Sequence, residues 1–150
     1  MFHVKSLSEN RRAHFDYEIL ETYTGGVALL GFEVKSVRAG RAHLDGGFVV
    51  IRGGELYLTN VTIPPYQPKN SPEDYEPSRS RKLLLTKKEI NTLLGAVKQK
   101  GLTLIPLRFV APSHMVKLEF ALARGKKKSD KRESIKKRET DREMRRAIKA

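Results

Sequence analysis

Apolar and polar residues alternate most regularly near the end of the folded part of the chain. Between Val116 and Ala123, four apolar positions alternate with Lys117, Glu119 and two alanines. This period of two predicts a strand with one buried and one exposed face. The apolar segment "LTLIPLRFV" precedes it, and the short connection Ala111-Pro112-Ser113-His114 predicts that the two segments form an antiparallel hairpin.

Two glycine pairs predict two further hairpins. Gly25-Gly26 separates "FDYEILET" (15–22) from "VALLGFE" (27–33), and Gly53-Gly54 separates "FVVIR" from "ELYLTNV". Glycine pairs between β-rich segments are typical of tight hairpin turns. We therefore predict a mainly β fold of six antiparallel strands. Strands with one apolar face each are best closed into a small barrel, which leaves no edge exposed to aggregation.

One helix is predicted after the strands of the second hairpin. "TKKE" (86–89) is a capping box, in which Thr86 and Glu89 satisfy each other's backbone amides. Apolar residues follow at helical spacing, and Gly101 is expected to end the helix. These apolar residues, which we expect to pack on the barrel, are Ile90, Leu93, Leu94 and Val97.

The segment 64–80, "PPYQPKNSPEDYEPSRS", contains five of the seven prolines and cannot be a helix or a central strand. Its composition favours a mobile surface loop. A binding loop remains an alternative, because long loops often carry function.

Charge narrows the class of partner. The chain has 30 Lys+Arg against 17 Asp+Glu, a net charge of +13, which favours nucleic acid first and an anionic membrane second. Residues 124–150 alone carry a net +8. We therefore divide the chain at Gly125 into an RNA-binding barrel (1–124) and a basic tail (125–150). We expect the free tail to be mostly disordered, because it has few large apolar residues and repels itself, and to become helical where phosphates neutralise it.

Composition also argues against several kinds of site. There is no cysteine, and the four histidines show no metal-ligand spacing, so we expect no cofactor and no metal. No apolar run approaches the ~18 residues of a membrane span, and no signal-peptide pattern follows Met1. A cytosolic protein without a small-molecule substrate is the expectation.

The stretch "GFEVKSVRAG" leaves three interpretations open. Glu33 and Lys35 have the Glu-x-Lys spacing of many metal-dependent nucleases, with Asp16 as the upstream carboxylate. They can also be an exposed ion pair, or an RNA contact in which the Glu33 carboxylate accepts hydrogen bonds from a base. The nuclease interpretation is the weakest, since no further acidic cluster supports it.

Five segments, in order along nearly the whole chain, resemble one family. They are "NRRAHFDYEILETYTGGVALLGFEVKSVRAGRAHL", "LYLTNVTIPPY", "RKLLLTKKEI", "GLTLIPL" and "GKKKSDKRESIKKRE". Together they are similar to the SmpB (SsrA-binding protein) family. The resemblance implies an oligonucleotide/oligosaccharide-binding (OB) type barrel that binds the tRNA-like domain of transfer-messenger RNA (tmRNA) around its D-loop and elbow. It implies delivery to stalled bacterial ribosomes for trans-translation, with the tail in the empty mRNA channel and the decoding centre.

The resemblance also implies site residues, none of them catalytic. RNA-binding positions match Asn10, Arg11, Arg12, Glu33, Lys35, Arg38, Lys126 and Lys127, and the decoding-centre motif of the tail matches Asp130, Lys131 and Arg132. We expect the Glu33 side chain to be exposed, so that its replacement weakens RNA binding and leaves the fold intact. Two positions depart from the family pattern, Phe15 in place of histidine and Ser129 in place of histidine or tyrosine. A general structured-RNA-binding protein is the alternative function.

Overall fold

The computed structural model describes residues 5–98 and 101–149, which form a seven-stranded antiparallel sheet with four α-helices. The strands are β1 (Lys5–Glu9), β2 (Tyr17–Val27), β3 (Phe48–Arg52), β4 (Glu55–Thr59), β5 (Arg81–Leu84), β6 (Leu102–Ala111) and β7 (Lys117–Gly125). The helices are α1 (Ala13–Asp16), α2 (Gly31–Arg38), α3 (Lys87–Val97) and α4 (Lys128–Lys149). The mainly β class predicted from the sequence is confirmed.

The strand order is β1-β6-β3-β4-β5-β2-β7, and β7 also pairs with β6. This last pairing joins six of the strands into a closed ring, with β1 added outside it along β6. The ring encloses the core, whose buried side chains include Leu56, Leu58, Phe109, Leu118 and Phe120. The pairing of β6 with β7 is antiparallel, as the alternating pattern predicts.

The two glycine pairs have different structural roles. Gly53 and Gly54 adopt φ values of 59° and 77°, so they form the predicted turn between β3 and β4. Gly25 and Gly26 instead lie inside the single strand β2, and the hairpin predicted there is wrong. A Cβ atom on Gly25 would lie 2.7 Å from the end of the Leu85 side chain, so a larger residue here would require that side chain to move.

The segment after β2 corrects the strand count. Residues 27–33 do not form a strand; they contain the end of β2 and the start of helix α2. The Glu33 carboxylate accepts a hydrogen bond of 2.8 Å from the Leu30 amide, which satisfies a donor at the start of that helix. The strands β1 and β5 had not been predicted, and β5 takes the place in the ring that was assigned to residues 27–33.

The α3 prediction is confirmed in its start and its buried face. The Thr86 hydroxyl accepts from the Glu89 amide at 3.2 Å, and the Glu89 carboxylate accepts from the Thr86 amide at 3.2 Å. Ile90 and Leu93 are buried, whereas Leu94 and Val97 pack at the margin of the core. The helix ends at Val97, earlier than the predicted Gly101.

None of the helices in the described ranges is long and apolar enough to cross a membrane. The tail residues from Lys128 to Lys149 form α4. We expect the tail of the free protein to be disordered most of the time in solution, and this stays a prediction.

Candidate nucleic-acid interface

The Glu33 side chain is completely buried, with an exposed fraction of 0%. It lies in the first turn of α2 and faces the protein interior. The expectation that this carboxylate is exposed is therefore wrong. Helix α2 presents one side to the core and the other to solvent, and a residue two positions from exposed Lys35 falls on the inner side.

Two arginines and a tyrosine from a distant part of the chain surround this carboxylate. Arg81 donates to Glu33 Oε2 from Nε at 3.0 Å and from Nη2 at 2.6 Å. Arg79 donates to both carboxylate oxygens, its Nε at 3.2 Å from Oε2. The Tyr75 hydroxyl donates to Oε2 at 2.8 Å. We call these four residues, Glu33, Tyr75, Arg79 and Arg81, the Glu33 network.

The network sets the ionisation of its members. Burial by itself raises the pKa of Glu33, but hydrogen bonds from Arg79, the Leu30 amide, Arg81 and Tyr75 outweigh it and lower the pKa from 4.5 to about 2. Burial and the hydrogen bond to Glu33 raise the pKa of Tyr75 to about 12. Glu33 is therefore an anion at neutral pH, neutralised by the guanidinium groups around it.

This arrangement opposes the nuclease interpretation. Both oxygens of Glu33 already accept hydrogen bonds from cationic or hydroxyl donors, so the carboxylate does not face solvent with Lys35. Asp16 lies in α1, where its carboxylate is 3.5 Å from Arg12. Within residues 5–98 and 101–149, no three carboxylate or imidazole groups come together in a way that could hold a metal ion.

The proline-rich segment 64–80 contacts the body through hydrogen bonds and a ring contact, and its predicted mobility stays a prediction. The Tyr75 hydroxyl also lies 2.7 Å from the Ile63 carbonyl oxygen, so its single proton is shared between this acceptor and Glu33 Oε2. The Phe32 ring meets the Tyr75 ring edge-on at 4.7 Å between centroids. The Pro77 carbonyl accepts from Arg81 at 2.8 Å and from the Ile63 amide at 3.0 Å. The Glu33 network thus anchors the second half of this segment beneath α2.

Two predicted RNA-binding residues lie on α2, and the chain beyond this helix makes an aromatic contact that sequence analysis missed. Lys35 and Arg38 are exposed, and Arg38 donates to the His114 carbonyl at 2.9 Å. Beyond the helix, the Arg41 guanidinium lies 5.1 Å from the centroid of the Tyr66 ring and donates to the Tyr66 carbonyl at 3.1 Å. We call Lys35, Arg38, Arg41 and Tyr66 the α2 surface.

The remaining predicted residues of the body lie around α1. The Asn10 side chain donates to the Pro106 carbonyl at 2.9 Å, so this amide holds the turn before α1 against β6. Arg11 and Arg12 are exposed beside it. Lys126 is brought to the same place from the far end of β7, where its amine donates to the His14 carbonyl at 2.7 Å. Lys127, the next residue, is exposed.

The tail helix contacts this region at Phe15, one of the two positions that depart from the family pattern. The guanidinium groups of Arg12 and Arg138 lie 5.5 Å and 5.3 Å from the centroid of the Phe15 ring. A cleft of about 320 Å³ separates α1 from α4, and Arg11, Ile135 and Arg142 also line it. Of the predicted decoding-centre motif, Arg132 is exposed. The side chains of Asp130 and Lys131, and that of Ser129, lie outside the described part of the structure.

The lysine and arginine side chains clustered on the surface of this antiparallel β fold are typical of nucleic-acid-binding proteins. A model of the SmpB protein family matches residues 7–150. The SsrA-binding protein of Thermosynechococcus vestitus is 54% identical over 146 residues, which cover 97% of this chain and 96% of that protein. The SsrA-binding protein of Gloeobacter violaceus is 54% identical over 144 residues, covering 96% of this chain and 94% of that protein.

One solved structure adds a match in three dimensions. A chain of "tmRNA-SmpB: a journey to the center of the bacterial ribosome" aligns with a TM-score of 0.67 at 49% sequence identity, covering 88% of this chain and 94% of that one. The chain described here belongs to the SmpB family.

Proposed function

We propose that this protein binds the tRNA-like domain of tmRNA and delivers it to stalled bacterial ribosomes for trans-translation. The observation that carries the proposal is the extent of the family match, which includes the RNA-binding body and the basic tail alike. The cations of the α2 surface and of the α1 region provide the positive potential that such a polyanion requires. The place of action is the cytoplasm, where ribosomes are found.

We also propose that the closed ring of six strands is an OB-like barrel. The support is the pairing of β6 with β7, which removes the free edges of the sheet apart from the attached β1. In such folds, a strand face and the adjoining loops commonly bind single-stranded or structured nucleic acid.

The burial of Glu33 divides the site residues into two groups. The exposed cations Arg11, Arg12, Lys35, Arg38 and Lys127, with Lys126, act on RNA phosphates. Asn10 and Glu33 act through other residues: Asn10 holds the turn that carries Arg11 and Arg12, and Glu33 holds segment 64–80 against α2. They are positioning residues. The tail residues Asp130, Lys131 and Arg132 act separately, in the mRNA channel of the ribosome.

The function is tested by competition between two RNAs. Labelled tmRNA bound to the protein is challenged with unlabelled tmRNA or with elongator tRNA, in a gel-shift measurement at near-physiological salt. We expect tmRNA to compete much better than tRNA. Equal competition would instead identify a general structured-RNA-binding protein, the alternative function. Intact labelled RNA after incubation with Mg²⁺ is the expected result against the nuclease interpretation.

Removing one phosphate contact should flatten the salt dependence of RNA binding. For Arg11→Gln, Arg12→Gln or Lys35→Gln, the slope of log K against log salt should decrease by about one unit for every RNA tested. The matched control is Arg52→Gln, an exposed arginine at the β3–β4 turn, which should leave the slope unchanged. A variant with the wild-type slope would show that its cation belongs only to the solvated surface.

A further inference from the structure

We propose that Tyr66, together with Arg41, forms a stacking platform for one unpaired base of the bound RNA. The proposal rests on the proposed function, because it places an RNA contact on the α2 surface. It adds a recognition element to that surface that reads an exposed base, whereas Lys35 and Arg38 contact phosphates.

The first argument is the fixed position of the ring. Segment 64–80 is anchored at its far end by the Glu33 network, through Tyr75, Arg79 and Arg81. Its near end is anchored by Arg41, which donates to the Tyr66 carbonyl at 3.1 Å. A ring on a loop attached at both ends loses little conformational entropy when a ligand binds.

The second argument is that the ring is partly exposed. Burying an apolar ring is favourable, yet Tyr66 has 37% of its surface exposed to solvent. The Arg41 guanidinium group lies over the ring, 5.1 Å from its centroid, while more than a third of the residue's surface stays in contact with solvent. A tyrosine ring beside an arginine plane offers two flat surfaces on which a base can stack.

The third argument is the charge around the ring. Lys35 and Arg38 are exposed on α2, and Arg41 follows three residues after Arg38. These cations can hold the sugar-phosphate backbone of a strand whose base reaches Tyr66. Bases in duplex RNA are already stacked and deeply placed, so a stacking platform recognises unpaired bases in loops, bulges and ends. The ligand is therefore an RNA with a splayed-out base.

The test compares two aromatic substitutions on two RNAs. Tyr66→Leu removes the ring without changing charge, and Tyr66→Phe retains it. We expect Tyr66→Leu to weaken binding of the tRNA-like domain about tenfold with an unchanged salt slope, and Tyr66→Phe to bind as wild type. Binding of a blunt RNA duplex should not change. Tyr57→Leu, on the outer side of β4, is the matched control and should bind both RNAs as wild type.

A direct readout uses the absence of tryptophan from the chain. Tyr66→Trp and Tyr57→Trp each introduce a single fluorophore, and the emission of folded protein also shows that each variant has kept its structure. We expect oligouridylate, whose bases are largely unstacked, to quench Trp at position 66 and not at position 57.

Three results would overturn the inference. They are wild-type affinity of Tyr66→Leu for the tRNA-like domain, equal weakening on the tRNA-like domain and the duplex, and no quenching at position 66. If wild-type protein binds the duplex as tightly as the tRNA-like domain, the proposed function fails instead. Quenching by oligouridylate then decides the stacking role by itself.

Discussion

Replacing Glu33 with alanine should lower the free energy of unfolding by about 3–5 kcal/mol, because it leaves the buried guanidinium of Arg81 without its counter-charge. Arg79 and Tyr75 lose the same acceptor, so segment 64–80 should also detach from α2. The measurement is urea unfolding followed by circular dichroism, together with limited proteolysis of that segment.

A matched control separates burial from charge. Glu55 is 3.8 Å from Lys82 in an ion pair in which the Glu55 side chain is 39% exposed and that of Lys82 is 46% exposed. Glu55→Ala should therefore cost less than about 1 kcal/mol. Comparable small losses for both variants would contradict the structural role of the Glu33 network. RNA affinity should be compared for Glu33→Gln, which removes the charge but keeps the shape, under conditions where it is folded.

The same network sets an acid limit on stability. Because folding lowers the pKa of Glu33 from 4.5 to about 2, its contribution is complete above pH 4.5 and is lost as the pH falls through 2. A shift of this size corresponds to about 3 kcal/mol. In Glu33→Ala, the loss of unfolding free energy between pH 4.5 and 2 that comes from Glu33 should be absent. The same urea unfolding measurements, repeated across that pH range, test this.

Truncation after Gly125 should abolish tagging on stalled ribosomes and leave most of the tmRNA binding intact. The reason is that the proposed RNA contacts Arg11, Arg12, Lys35 and Arg38 belong to the body, whereas the motif proposed for the decoding centre lies in the tail. The measurement is peptide tagging in a reconstituted translation system supplied with a truncated message, with tmRNA affinity determined in parallel.

Two further variants distinguish a sequence-specific tail from a general basic anchor. Replacing Asp130, Lys131 and Arg132 with alanine changes net charge by only one unit, and it should abolish tagging much as truncation does. A scramble of residues 126–150 keeps the charge and should also be inactive. Full tagging by the scrambled protein would show that the tail acts only through its charge.

Circular dichroism of full-length and truncated protein tests the expected disorder of the free tail. Helices with a high net charge and no packed face are marginal in water, so we expect the difference spectrum to be mostly unfolded. Helical signal should increase when RNA is added. The helix α4 and its contact with Phe15 show the helical form of the tail, which is one side of the expected exchange between helical and disordered tail.

The features that the sequence predicted correctly depend on residues close together in the chain. The α3 capping box joins residues three apart, and the β3–β4 turn depends on two adjacent glycines with positive φ. The β6–β7 hairpin follows from the regular alternation of apolar and polar residues in β7 and from the short connection between the two strands. Neighbouring residues carry enough information for such features, since each is formed by local hydrogen bonds and one periodic apolar face.

The errors have different causes, some distant in the chain and some local. The Gly25-Gly26 pair has the composition of a turn, yet its pairing with residues of β7 and β5, more than 50 positions away, places it inside a strand. The segment 27–33 is apolar enough for a strand, but capping of the Leu30 amide by Glu33 starts a helix there. The alternation in "RKLL" was too short to identify β5 by itself.

By itself the sequence determined the mainly β class, the strongly basic charge and the family resemblance, while the division into body and tail stays a prediction. Only the tertiary structure decided the role of Glu33, because its partners Tyr75, Arg79 and Arg81 are 42, 46 and 48 residues away. The same folding brings Tyr66 to Arg41, across 25 residues. A carboxylate followed closely by Lys35, Arg38 and Arg41 is expected at the surface on composition. It is buried here because two guanidinium groups converge on it and neutralise its charge.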